Sequence, residues 1–155
     1  MTGLWTPRHG VYTVEDSMGG RPESRRFIAP PNDTDLDPSF RTIAEMFKDA
    51  GYATACVGKW NLGQGTNTPH SPTGQGFDEF RHYKRLGFRN GYFDGERYST
   101  DVLFDETIDV ARRAGDRPFF IFLAPDAVHT PLAAPEASIA AHPDLDRDQI
   151  GRAHV

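Results

Sequence analysis

Two short segments carry the side chains best suited to chemistry. Gly58-Lys59-Trp60-Asn61 offers a lysine and an asparagine, and Pro125 to Leu132 offers Asp126 and His129. A lysine is a fixed cation for an anionic group, and histidine is the side chain whose ordinary proton affinity lies nearest neutral pH. Asparagine can hold a hydroxyl by hydrogen bonding but takes up no proton in that range. Taken singly, each has an ordinary reading: a lone lysine is usually a solvated surface group, and a lone loop histidine is usually exposed or structural. Trp60 reads as packing, and Cys56 as a buried strand residue rather than a reactive thiol. The functional reading requires elements that bring the two segments to one place.

The surrounding pattern supplies such elements. Ile43, Met46, Phe47 and Ala50 follow helical spacing, Thr42-Ile43-Ala44-Glu45 has the capping-box form, and Gly51 supplies a stop. Tyr52 to Val57 is long enough for a buried strand and too short for a helix. A second helix follows Ser99 or Thr100 as its cap, with Leu103, Thr107, Val110, Ala111 and Ala114 on one face, Arg112 and Arg113 suiting its C-terminal dipole, and Gly115 closing it. Phe119 to Ala124 is an apolar run expected to be a strand covered on both faces. Helix, strand, helix, strand predicts an α/β fold with a parallel sheet and right-handed crossovers. Open parallel sheets bind ligands beyond the carboxyl ends of their strands, which is where both segments fall. One cation and one proton-transfer group then share a rim.

The rest is less regular. The first forty residues, with Gly19-Gly20, Pro22, Pro30-Pro31 and Pro38, read as loop with at most one short strand, residues 63–76 as a Gly/Pro/Thr-rich connection, and residues 77–98 show no decisive period. The chain has 155 residues, and 17 Lys plus Arg against 22 Asp plus Glu leave a net charge of −5, which excludes a broad electrostatic nucleic-acid binder. Hydrophobic residues at 37% suffice for a core, while 15 Gly and 12 Pro signal long irregular connections. No window approaches the roughly 20 apolar residues of a membrane span, and Met1 is not followed by a charged and then apolar leader. A single cysteine excludes an internal disulfide framework and a multi-thiolate metal site, and leaves the compartment open.

A set of motifs in fixed order carries a family resemblance: Thr2-Gly3 and Pro7-Arg8-His9-Gly10-Val11, then Ala50 to Ala55, Gly58-Lys59-Trp60, Gly76-Phe77-Asp78-Glu79-Phe80, Pro118-Phe119-Phe120, and His129-Thr130-Pro131-Leu132. Together they resemble the formylglycine-dependent sulfatases across almost the whole chain. The resemblance implies a partial alkaline-phosphatase-like α/β fold, a mainly parallel central sheet flanked by helices, and hydrolysis of sulfate monoesters. It assigns Lys59 to sulfate binding, and His129 to sulfate binding and protonation of the leaving oxygen. Asn61 stands where the usual Gly-Lys-Trp-His form has the histidine that deprotonates the formylglycine hydrate. Thr2, Gly3, Arg8 and Gly10 read as scaffold, Asp78 and Glu79 as a structural turn, and Asp126 as a residue lining the rim near His129.

The family's CxPSR or SxPSR nucleophile motif, its paired aspartates, and its later Asp-Asn pair and lysine are not matched in this chain, so Ca²⁺ and formylglycine are implied only for a full-length parent. Residues 1–149 are accordingly read as an incomplete sulfatase domain, inactive alone. Ile150 to Val155 resembles the translation of a sequencing adapter and is set apart. The parent is expected to be periplasmic or extracellular, to act on a sulfated small molecule or glycan, and to need a formylglycine-generating or sulfatase-maturing enzyme. Two alternatives stay open: a phosphodiesterase or phosphonate hydrolase of the same superfamily, and a noncatalytic binding protein derived from a sulfatase. An isolated piece with open sheet edges is expected to be poorly soluble or molten.

Overall fold

The computed structural model describes residues 1–14, 30–88, 92–129 and 132–143, the side chains of residues 83 and 85 excepted. The expected loop over residues 15–29, Thr130 and Pro131 of the histidine motif, and the set-apart residues 150–155 lie outside the described residues. The chain forms two compact units, one comprising residues 1–55, 60–80 and 116–120, the other residues 56–59, 81–115 and 121–155.

In the first unit, α1 (Thr6–His9) starts with a proline in its first turn, where the missing N–H costs nothing. The predicted capping box opens α2 (Ile43–Asp49): the Glu45 N–H donates to Thr42 Oγ1 at 3.2 Å, and the Thr42 N–H donates to Glu45 Oε2 at 2.7 Å. Thr42 Oγ1 also donates to the Gln75 carbonyl at 2.7 Å, which ties the helix start to the turn before Phe77. Gly76, at φ +100°, makes this approach possible, because a Cβ there would stand 2.4 Å from the Glu45 nitrogen. That anchor also changes the covered face from the one the spacing predicts. Ala44 is fully buried, while Ile43 and Met46 are exposed. Phe47 stacks on Phe120 at 4.5 Å, and Phe77 lies 6.1 Å from Phe120.

In the second unit, β3 (Phe93–Asp94) and β4 (Arg97–Tyr98) form an antiparallel hairpin, with Gly95 at positive φ first in its two-residue turn. The hairpin runs straight into α3 (Ser99–Ala114), which buries Leu103, Val110 and Ala114 of the predicted face. The expected cap is corrected: the N-cap is Tyr98, without a side-chain cap bond, and Ser99 and Thr100 are already helical. The reason lies in the backbone, since the Ser99 N–H donates to the Tyr92 carbonyl at 2.7 Å. A later short helix, α4, spans Glu136–Ala140.

The three-stranded sheet has the order β2-β1-β5, with β1 at Ala53–Gly58, β2 at Glu79–Arg81 and β5 at Phe119–Ala124. The Ala53 N–H donates to the Pro118 carbonyl at 2.9 Å and the Lys59 N–H to the Ala124 carbonyl at 2.7 Å, a constant register that makes the strands parallel as predicted. Every residue of β1, the middle strand, is buried. The expectation of two covered faces fails for β5, which is half-buried, with Phe119 50% exposed. Among the described residues β5 is an edge strand, so an apolar run did not by itself specify a central position.

Candidate active site

The end of β1 delivers Lys59 through a close backbone approach. Gly58 has φ +102°, and a Cβ on it would stand 2.1 Å from the Ala124 carbonyl oxygen, so only glycine lets the two strand ends lie side by side. From there Lys59 extends to Asp126, with Nζ 2.6 Å from Oδ1 and side chains only 26% and 17% exposed. Burial draws the pKa of Lys59 below the ordinary lysine value, and the neighbouring carboxylate works against that loss. An ammonium has three donors, so one bond to Asp126 leaves capacity for a ligand oxygen.

The loop after β5 is held by its own turn and by two tyrosines. The His129 N–H donates to the Asp126 carbonyl at 2.9 Å, closing a tight turn whose Ala127–Val128 peptide is cis. Tyr92 Oη donates to the Asp126 carbonyl at 3.3 Å and, more closely, to that of His129. Tyr98 Oη donates to the Ala133 carbonyl at 3.1 Å. Burial, and then Tyr98 nearby, raise the pKa of Tyr92 and outweigh the lowering effect of the His129 backbone, which keeps its hydroxyl a proton donor. The His129 side chain is exposed.

Lys59, Asp126 and the His129 loop therefore come together within the second unit, at the carboxyl ends of adjacent parallel strands. Asn61 belongs to the first unit, where it is exposed. The sequence reading gave no role to Tyr92 or Tyr98; the available signal was a pair of tyrosines flanking the Asp94-Gly95 turn. Other side chains behave as scaffold. Trp60 packs edge-on against Phe77 at 6.0 Å and donates Nε1–H to the His70 carbonyl at 2.9 Å. Cys56 is fully buried, its thiol pushed up to about 12, which leaves no reactive thiolate.

Asp78 is a structural carboxylate. It accepts from the Thr54 N–H at 3.1 Å and pairs with Lys48 at 2.9 Å. Burial raises its pKa, but the bonds from Lys48 and Thr54 outweigh that and hold it below the usual carboxylate range. Among the described residues no group of three or more His, Cys, Asp or Glu side chains could hold a metal ion. The described residues do not supply the oxygen ligands of a Ca²⁺ cage.

A parallel α/β core that presents a lysine and a histidine-bearing loop at its carboxyl rim defines the class of α/β proteins whose ligands bind beyond the strand ends. Within that class the chain belongs to the sulfatase family, whose model, Sulfatase, matches residues 1–149. It is 30% identical over 164 residues to the uncharacterized sulfatase YdeN of Escherichia coli K12, covering 84% of this chain and 27% of the relative. It is 28% identical to dog N-acetylgalactosamine-6-sulfatase, covering 95% of this chain and 30% of the relative. It is 36% identical to an arylsulfatase of Klebsiella aerogenes, covering 61% and 25%. The chain thus spans less than a third of the length of these relatives. Crystal structures of Ps i-CgsB, free and in complex with k-i-k-neocarrahexaose, match with TM-scores of 0.62 and 0.60. Their identities are 23% and 24%, and they cover 77% and 72% of this chain and 35% and 32% of theirs. At that identity the likeness carries the fold alone.

Proposed function

We propose that residues 1–149 are part of the catalytic domain of a longer sulfatase that hydrolyses sulfate monoesters, with formylglycine and Ca²⁺ contributed from outside this chain. The observation that carries the reading is the meeting of Lys59 with the Asp126–His129 loop at the strand-end rim. Cleavage of a sulfate ester needs positive charge against the nonbridging oxygens and a proton for the departing oxygen. Lys59 supplies the first and the His129 imidazole the second. The substrate is a sulfated small molecule or glycan, and a formylglycine-generating or sulfatase-maturing enzyme prepares the parent. The chain of 155 residues alone is inactive.

Asn61 favours a second reading. Its amide can hold a hydroxyl of the hydrated nucleophile but takes no proton from it, so a sulfatase-derived protein that binds without turning over is consistent with this residue. A phosphodiesterase or phosphonate hydrolase would use the same cation and acid on a different anion.

The test is turnover of nitrophenyl sulfate by the full-length protein and by its Asn61→His variant. Turnover in the first, rising in the second, is expected. Calorimetric binding of phenyl sulfate without turnover in either protein establishes the noncatalytic reading instead. Metal-dependent turnover by the isolated 155-residue chain overturns its assignment as inactive.

A further inference from the structure

The anion site contains an anion of its own. Asp126 Oδ1 stands 2.6 Å from Lys59 Nζ, and its side chain is the less exposed of the pair at 17%. The carboxylate cannot be dismissed as an incidental surface partner, because the backbone that carries it is tied down. Tyr92 Oη, from a residue only 7% exposed, donates to the Asp126 carbonyl and to that of His129, and the His129 N–H closes on the Asp126 carbonyl at 2.9 Å. Among the described residues, Lys59, Asp126, His129, Tyr92 and Tyr98 are charged or titratable side chains on or against this loop. The formal charges of Lys59 and Asp126 sum to zero, so an incoming ligand meets a cation with a fixed carboxylate beside it.

From this we infer that Asp126 is a specificity-determining residue that makes the site count charge, admitting esters with one negative charge and disfavouring those with two. The inference rests on the reading of Lys59 as the anion-binding cation. Sulfate monoesters carry one negative charge at any physiological pH, whereas phosphate monoesters, with a second pKa near 6, carry close to two above neutrality. The two ester groups have nearly the same tetrahedral shape, so shape gives little discrimination. A fixed carboxylate beside the binding cation does, since the added charge of a phosphate monoester is repelled by Asp126 over the same few ångströms through which it is attracted by Lys59. By the same count a phosphate diester, with one charge, is not rejected. Without Asp126 the balance reverses, and the dianion gains more from Lys59 than the monoanion.

The experiment is calorimetric titration of the full-length protein at pH 8 with phenyl sulfate, phenyl phosphate and methyl phenyl phosphate, which needs no turnover. The wild type is compared with Asp126→Asn, Asp126→Ser, Asp126→Glu and Lys59→Ala. Removing the charge is expected to strengthen phenyl phosphate about tenfold relative to phenyl sulfate, the scale of a single charge interaction in a partly buried site. The diester-to-sulfate ratio stays as it was, and Asp126→Glu keeps the wild-type order. Asp126→Ser repeats the measurement should the asparagine variant not fold. A phosphate-to-sulfate ratio that stays within about twofold of wild type in the Asn or Ser variant overturns the inference, as does an equal gain for diester and monoester. Lys59→Ala separates the two levels: if it leaves phenyl sulfate binding unchanged, the anion-site reading itself fails. If it abolishes binding while the Asp126 variants keep the wild-type ratio, only the charge-counting role fails.

Discussion

Two lysine–aspartate pairs sit at opposite fates in this molecule. Lys48–Asp78, at 2.9 Å, lies in the first unit with side chains 48% and 37% exposed, and its carboxylate also takes donors from Thr54. Lys59–Asp126, at 2.6 Å, lies in the second unit and is about half as exposed; among the described residues the Asp126 carboxylate is bonded to Lys59 alone. In the first pair the carboxylate's capacity is used to join β1 to the turn before β2, and little is left over for a ligand. In the second the backbone is secured by tyrosine hydroxyls instead, which leaves the charged groups themselves at the rim. An ion pair alone does not mark a site; what separates these two is which atoms the fold has already committed.

The sharpest break of that comparison is to remove each lysine. On the proposed function, Lys59→Ala in the full-length protein is expected to lower kcat/KM for nitrophenyl sulfate by about 10²- to 10³-fold, the usual cost of deleting a preorganised group that stabilises transition-state charge. Lys48→Ala should leave it within about twofold, because a surface pair contributes at most about 1 kcal/mol to stability and nothing to the rim. Equal losses would erase the distinction.

Gly58→Ala comes next and attacks the delivery of Lys59 rather than the cation. A methyl 2.1 Å from the Ala124 carbonyl, added at φ +102°, must push the ends of β1 and β5 apart. The expected cost is about 3 kcal/mol, read as a fall in the urea midpoint, with activity lost beyond what the unfolded fraction explains. On the other side of the comparison, Thr42→Ala removes the cap of α2 and its bond to Gln75, at a cost of about 1–2 kcal/mol. Its activity per folded molecule should be unchanged.

These contrasts also show what the sequence could reveal. The capping box at Thr42–Glu45, strands β1 and β5, the long helix α3 and the parallel order were legible because each depends on local chemistry or on period. What went unread depends on distant partners. Ser99 and Thr100 are good caps by type, but the Tyr92 carbonyl took the Ser99 N–H and moved the cap to Tyr98. Met46 and Ile43 fit an inward stripe, yet the anchor on Gln75 turned Ala44 inward. The strand-end positions of Lys59 and His129 were readable from the order of the elements, whereas the Tyr92 clamp joins residues far apart in a stretch without periodicity. Asp126 stood between: visible as a rim residue, with its pairing to Lys59 supplied only by the fold.

The smallest expected effect separates the pairs by pH. Asp78 has a folded pKa below its unfolded value, since the bonds from Lys48 and Thr54 overcome the cost of burial. In the window between the two values the unfolded chain therefore binds more protons, and stability rises with pH there. The contribution is complete above the unfolded value, about 3.9 for an aspartate, and is lost as pH falls through the lower folded value. Asp78→Asn should remove that part of the acid limb of the unfolding midpoint measured from pH 6 downward, and Lys48→Met should remove a portion of it, because the Thr54 donors remain. Since both side chains of the pair are more than a third exposed, solvent screening makes the change a modest one. An acid limb unaltered by Asp78→Asn would mean that the Thr54 and Lys48 bonds do not hold the carboxylate ionised, and that the first pair is no more committed to the fold than the second.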